Sequence, residues 1–338
     1  MKCALEKAML AGSVLAMLSA GSATAADSID HRLSSGIERA KRATVGILED
    51  IKNTRSQAAS ARFLVKGSGF HIRDGYIVTA GHAVEREEGG QKKVPQEITV
   101  LTTDLDELPA VLTGVNAFLD IAVYRLNVDE ASTKLPAAAF GQGEPQPGDE
   151  VFTVGYPLGW GPAVGFGRIG NPNVFLPTVE SRLFQVDLSA CSGNSGGGLF
   201  NGQGDVVGVV HAIIQTETIQ GEPRCSRFAF AVSVTLAQRI VTSLIQGRQP
   251  GFSKLGIQLT VVKIGTRWRV AVLEAGGPAL EGGIHKGDIL LAIEDMPITD
   301  GVQLKNYLIE RTTPGQRVAV KVLRGEKEEV LHVTLGRA

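Results

Sequence analysis

The stretch Gly193-Asn194-Ser195-Gly196-Gly197 decides the fold, and the decision turns on what stands before it. Glycines on both sides of a serine let the backbone turn sharply and aim its N–H groups at one point. A serine hydroxyl is a weak nucleophile until a base takes its proton, and the tetrahedral intermediate it forms needs such donors. The same five residues also fit G-x-S-x-G, a strand-to-helix elbow that requires an acid and then a histidine after the serine. The later histidines are His211, His285 and His332, and the last two fall in a separate C-terminal unit. Upstream stands Thr79-Ala80-Gly81-His82-Ala83, directly after the strand-like Tyr76-Ile77-Val78. Further on, Asp120-Ile121-Ala122-Val123 sets a carboxylate at the head of a buried strand, placed to orient a histidine. Base, orienting acid and nucleophile thus come in the order His82, Asp120, Ser195.

The surroundings are β-rich. Short apolar runs recur at Ile98 to Leu101, Ile121 to Tyr124, Val151 to Val154 and Val206 to Val210. Clusters of Gly, Pro and Asp, such as Gly141 to Asp149 and Gly159 to Gly170, read as the loops between them. The chain holds 41 glycines in 338 residues, without any collagen-like period. That excess suits a β-barrel or sandwich better than a helical bundle. Asp27 to Arg62 is polar except for Val45-Gly46-Ile47-Leu48, a candidate first strand. Val234 to Ile245 carries Leu236, Ile240, Leu244 and Ile245 at helical spacing, and Gly247 and Pro250 stop it. Gln246 to Phe252 is therefore a domain boundary. Beyond it, strand-like runs at 255–262, 269–273, 289–293, 318–323 and 330–335 form a second unit. Within that unit Asp300 is placed to cap a helix reaching Glu310. Trp268 and Tyr307 read as core aromatics.

Composition narrows the function. Hydrophobic residues make up 43% and charged residues 20%, with a net charge of −1. This fits a protein able to bury a core and gives no reason to expect nucleic acid as a partner. Lys2, Lys7, the apolar Ala8 to Leu18 and the small residues Ala23-Thr24-Ala25 read as a signal peptide over 1–25, with a mature start near Ala26. The apolar run is short for a bilayer, which needs about 20 residues, and no later stretch is longer, so no stable membrane span is expected. The mature protein would be periplasmic or secreted. After the leader two thiols remain, Cys191 and Cys225, which in an oxidising compartment allow one bridge. No His, Cys or Asp cluster shows metal-ligand spacing, so neither metal nor cofactor is expected.

The motif set resembles the HtrA (Deg) family of trypsin-like proteases. It runs through Gly67-Ser68-Gly69-Phe70, Asp74 to Thr79, Gly81 to Val84, Asp120 to Val123, Val154 to Gly159, Gly193 to Gly197 and Phe228 to Val232. Residues from about 251 resemble that family's PDZ domain through Leu255-Gly256-Ile257 and Gly283 to Leu290. The resemblance implies a mainly β chain: an N-terminal segment over 26–62, a chymotrypsin-like double β-barrel over 63–247 and a PDZ domain over 251–338. It implies an oxyanion hole from the backbone of Gly193, Asn194 and Ser195, the N–H groups of Gly193 and Ser195 donating. It implies a carboxylate-binding loop at Leu255, Gly256 and Ile257, whose following strand pairs with a peptide by β-augmentation. It also implies a bridge between Cys191 and Cys225, like the cystine that borders the specificity pocket in chymotrypsin-like enzymes.

The specificity pocket is read by the same analogy. Ser189, six residues before the nucleophile, would sit at its base with Ala190, walled by Val210 and His211. A buried Lys or Arg would need a carboxylate there, so cleavage after small or medium aliphatic residues is expected. The expected partners are unfolded polypeptides and protein C-termini. A homo-oligomer is left open, because the aromatics that often join HtrA trimers are missing from Ala26 to Arg62. A chaperone or peptide-binding scaffold that seldom cuts is the alternative to an endopeptidase.

Overall fold

The computed structural model describes residues 32–48, 65–128, 134–175, 182–213 and 225–338. The expected leader, its cleavage site and the mature start near Ala26 lie outside these residues. A helix over 32–43 (α1) leads into β1 (Thr44–Leu48). The chain continues with β2 (Val65–Ile72), β3 (Tyr76–Ala80), a one-turn helix α2 (Gly81–Val84) and the small hairpin β4 (Arg86–Glu88) and β5 (Gln91–Lys93). Then come β6 (Glu97–Leu101), β7 (Glu107–Asn116) and β8 (Ile121–Leu126). These strands close a six-stranded barrel in the order β1-β2-β3-β8-β7-β6. Because β1 pairs with both β2 and β6, the barrel begins before residue 63.

A second closed barrel, ordered β10-β11-β14-β13-β12-β9, follows. Its strands are β9 (Glu150–Gly155), β10 (Ala163–Phe175), β11 (Arg182–Cys191), β12 (Gly198–Phe200), β13 (Val206–Ile213) and β14 (Cys225–Ser233). The glycine-rich stretch expected as a loop up to Gly170 is mostly strand. A Cβ at Gly167 would stand 2.2 Å from the Asp187 carbonyl of the neighbouring strand, so glycine here permits close pairing with β11. Along β11 the pleat turns Val186, Leu188 and Ala190 into the barrel and Asp187 and Ser189 outward.

Helix α3 (Val234–Ile245) closes the double barrel, with Ser233 accepting from the Leu236 N–H at its start. Its buried face, Leu236, Ala237, Ile240, Val241 and Leu244, joins Phe70, Phe152, Phe200 and α1 residues Ala40 and Ala43 in one core between the barrels. Each large side chain so buried contributes about 1.5–3 kcal/mol.

The C-terminal unit has its own core around Leu255, Val270, Ile284, Leu290, Leu304, Val320 and Val333. Its sheet runs β16 (Ile257–Ile264), β17 (Arg267–Ala275), β18 (Ile289–Ile293), β20 (Arg317–Arg324), β21 (Lys327–Thr334), with β19 (Met296–Pro297) on β18. A two-residue strand β15 (Ser253–Lys254) pairs with β22 (Gly336–Arg337). Two helices complete it: α4 (Pro278–Glu281) and α5 (Gly301–Arg311), the latter capped by Asp300, which accepts from Gln303 N–H at 2.8 Å. Tyr307 packs against this core, but Trp268 does not, being 65% exposed on β17. No helix among the described residues is long and apolar enough to cross a membrane.

Candidate active site

His82 and Asp120 are brought together by strand register. Ala80 on β3 pairs with Ile121 on β8, so the turn after one strand lies against the turn before the other. The Gly81 N–H donates to the Asp120 carbonyl at 2.9 Å, and the His82 N–H to Asp120 Oδ1 at 2.8 Å. The His82 ring completes the clasp, its Nδ1 hydrogen-bonded to Asp120 Oδ2. Asp120 holds a left-handed backbone, φ 53°, a conformation that aspartate tolerates better than most residues.

A second imidazole joins them. His211, at the end of β13, has its Nδ1 3.1 Å from the same Asp120 Oδ2, and its ring meets the His82 ring edge to face at 5.4 Å. Nδ1 is enclosed by the protein and faces that carboxylate oxygen. Burial alone would raise the Asp120 carboxyl. The His211 and His82 rings outweigh it and hold the group well below the usual carboxylate range. The resemblance instead implies His211 as a wall of the specificity pocket. No spacing signal tied His211 to Asp120, because the two stand in different barrels and only the packing of one barrel on the other brings them together.

The nucleophile loop is fixed on both sides. Asn194 N–H donates to Cys191 O at 3.0 Å and its Oδ1 accepts from Cys191 N–H at 3.1 Å. Its N–H is therefore turned inward and is not a free donor, unlike the expectation that counted Asn194 in the oxyanion hole. Ser192 O accepts from Leu158 N–H at 2.7 Å, which in a planar peptide points the Gly193 N–H the opposite way. Gly193 adopts φ 100°, and a Cβ there would stand 2.2 Å from Tyr156 O. Only glycine fits. The Gly193 and Ser195 N–H groups donate to no described residue, and the half-buried Ser195 side chain lies beside them.

Buried Ser68 holds this loop, a role that nothing in Gly67-Ser68-Gly69 itself announces. Its Oγ donates to Gly193 O at 2.6 Å and accepts from Tyr156 N–H at 2.9 Å; its N–H donates to Ser195 O at 3.0 Å. Cys191 and Cys225, opposite each other on β11 and β14, are joined by a disulfide at the base of the loop.

Of the four pocket candidates, Ala190 and Val210 are packed in the core of the second barrel, His211 turns to Asp120, and only Ser189 is exposed. Asp187, on the outer face of β11, is paired with Arg227 at 3.0 Å.

In the C-terminal unit, Leu255, Gly256 and Ile257 edge a groove of about 700 Å³ with β16 on one side and Leu304, Lys305 and Leu308 of α5 on the other. Gly256 takes φ 82°, and its carbonyl accepts from Gly276 N–H at 2.8 Å.

Two closed six-stranded barrels with this cluster between them, followed by a small sheet with a helix-flanked groove, define a trypsin-like peptidase domain joined to a PDZ domain. Family models agree: a trypsin-like peptidase domain matches residues 67–209 and a PDZ domain residues 253–335. A probable periplasmic DegP-like serine endoprotease of Halomonas elongata is 30% identical over 283 residues, 80% of this chain and 56% of the relative. One of the same description from Rhizobium meliloti is 31% identical over 285 residues, covering 80% and 53%. The chain thus spans about half the length of the curated relatives it matches. Among solved structures, the HtrA-type protease AlgW with tripeptide superposes with a TM-score of 0.70 at 25% identity, covering 90% of this chain and 97% of that one. A serine endoprotease from Yersinia pestis gives 0.61 at 25% identity, covering 90% and 98%. The chain carries a trypsin-like peptidase domain followed by a PDZ domain, and it is similar to DegP-like and HtrA-type serine proteases.

Proposed function

We propose that the chain is an exported serine endopeptidase in which Ser195 attacks a peptide carbonyl, His82 takes and returns the proton, and Asp120 orients the imidazole. The observation that carries this reading is the pairing of a histidine–carboxylate clasp with a serine loop whose Gly193 and Ser195 N–H groups are left undonated. Those two donors would hold the tetrahedral oxyanion. Leu158, hydrogen-bonded through its backbone to Ser192, and Trp160 leave apolar surface exposed beside the loop. That surface suits unfolded polypeptides, and the periplasmic naming of the relatives supports protein quality control outside the cytoplasm.

The PDZ groove would take protein C-termini, the backbone at Leu255 to Ile257 receiving the carboxylate and β16 the peptide strand. For the peptidase site we propose cleavage after small or medium aliphatic residues. Asp187, the carboxylate nearest the pocket in sequence, faces outward and is already held by Arg227. A basic side chain would find no partner there.

Ser195→Ala should lower cleavage of unfolded casein by at least about 10⁴-fold while leaving the fold and C-terminal peptide binding intact. The unsubstituted protein should be labelled at Ser195 by a serine-directed phosphonate. Absence of both labelling and casein cleavage would return the chain to the peptide-binding scaffold. Sequenced cleavage products with a majority of cuts after Lys or Arg would overturn the specificity.

A further inference from the structure

Two imidazoles converge on one carboxylate oxygen, and the chemistry proposed for Ser195 employs only one of them. His211 is 8% exposed, its Nδ1 is enclosed, and that atom faces Asp120 Oδ2 at 3.1 Å. A neutral imidazole presents a lone pair at the nitrogen that carries no proton. One ligand atom from each of His82, Asp120 and His211 lies within 4.8 Å of the others. Among the described residues these three make the one such group.

We propose that His82, Asp120 and His211 form a binding site for a late first-row transition-metal dication, zinc above all, and that occupancy switches the peptidase off. Two imidazole nitrogens and one carboxylate oxygen are a donor set that suits zinc, whereas calcium and magnesium call for oxygen ligands. Zinc bonds of about 2.0–2.2 Å to nitrogen and oxygen set tetrahedral ligand atoms roughly 3.2–3.5 Å apart. The His211–Asp120 spacing of 3.1 Å already lies near that value. The His82 ring stands closer to the carboxylate and would step back by roughly 1 Å to reach the same geometry. It has room, since 43% of its side chain is exposed. The fourth position would open toward solvent on the His82 side and take water.

The consequence for Ser195 follows from which atoms are used. Asp120 Oδ2 is the oxygen that orients His82, and a metal seated on it together with the His82 ring breaks that clasp. Metal binding and general-base action are then mutually exclusive. The buried His211 supplies an anchor that proteolysis does not need, so the site acts as a reversible brake set by free metal.

The test uses the full chain as Ser195→Ala, which keeps all three ligands and cannot digest itself. Titration calorimetry with zinc should show one site per chain, and cobalt(II) should give the intense visible bands of a tetrahedral complex. Adding His211→Asn or His211→Ser should weaken zinc binding at least tenfold, and His82→Ala likewise, while His285→Ala and His332→Ala should leave it unchanged. Two replacements at 211, each checked by its thermal transition, guard against loss through misfolding. With Ser195 present, zinc should block casein cleavage, a chelator should restore it, and His211→Asn should raise the half-inhibitory zinc concentration at least tenfold. Zinc affinity that is the same with and without His211, or that follows His285 or His332 instead, overturns the proposal. The calorimetry stands whether or not the chain cleaves peptides, so the two readings fail separately.

Discussion

Asp120 carries more of the candidate site than any other residue. Its backbone is left-handed, one carboxylate oxygen receives the His82 amide, and the other faces two imidazoles. The histidines hold its carboxyl well below the usual range against the opposing effect of burial. The group therefore stays ionised across the pH range in which a protease is assayed. Asp120→Asn keeps the size but removes the charge and lets the amide donate where the carboxylate accepted. It is expected to lower kcat about 10⁴-fold, by analogy with triad aspartates generally. Titration should not restore the rate, because an amide has no carboxylate form to regain. A pH–rate profile of the variant that recovers within tenfold of the parent at any pH would show that Asp120 does not orient the base. At this scale the order of His82, Asp120 and Ser195 was readable from flanking residues alone. His211 was not, because only the register of β13 against the nucleophile loop, Val210 O accepting from Gly196 N–H at 2.7 Å, carries it to Asp120.

Among elements, the nucleophile loop owes its shape to β2. Ser68 spans from Tyr156 to Gly193 through one hydroxyl, with no exposed surface. Ser68→Ala strands the Gly193 carbonyl and the Tyr156 N–H in a buried setting, a loss of about 1–3 kcal/mol per unsatisfied group. The stranded carbonyl frees the Gly193 peptide to rotate, which would take its N–H away from the oxyanion. We expect kcat to fall roughly 10²–10³-fold, the usual effect of one lost oxyanion donor, with KM nearly unchanged. A variant that loses KM instead would place Ser68 in substrate binding.

In the PDZ domain, buried Asp288 at the head of β18 accepts two hydrogen bonds from Arg324, at 2.8 and 2.7 Å, and one from His285 N–H. Burial raises its carboxyl, but Arg324 outweighs this and the net direction is downward. A carboxyl lowered on folding contributes stability above its unfolded value of about 3.9, and that contribution is lost as pH falls through the folded value. Asp288→Asn should thus destabilise the domain by about 2 kcal/mol near neutral pH. Hydrogen exchange on β20 and β21 should show the difference fading in acid, and a gap that widens there would reverse the assignment.

Most strands were legible as apolar runs, and α3 and α5 as helical spacing stopped by Gly or started by Asp. β10 was hidden because glycine serves two ends: in a loop it permits unusual φ, and in β10 it permits close approach to β11. Trp268 was misread because it stands beside the hairpin turn that opens β17, past the end of the core, although it shares strand parity with buried Val270 and Val272.

Across the whole molecule, the PDZ domain is docked on the peptidase domain rather than strung behind it. Phe252 stacks on Phe118 at 4.3 Å, and Ile309 of α5 enters the core between the barrels. Arg182 at the start of β11 lies between two carboxylates, Glu144 at 2.5 Å and Glu310 of α5 at 2.5 and 2.9 Å. Arg239 of α3 donates to the Ile309 and Thr312 carbonyls beyond it. Arg182 is 7% exposed, so its charge is balanced almost wholly by Glu144 and Glu310. Removing one member of such a set leaves the others buried and unpaired, whereas neutralising the whole set is commonly tolerated. Arg182→Met should therefore destabilise the chain by about 3–5 kcal/mol. It should also separate one thermal transition into two, as Glu144 and Glu310 repel across the seam. Combining it with Glu144→Gln and Glu310→Gln should recover most of that loss. Calorimetric scans of the single and triple variants decide the matter: equal destabilisation in both would mean that Arg182 contributes packing alone, and that Phe118, Phe252 and Ile309 hold the domains together without help from charge.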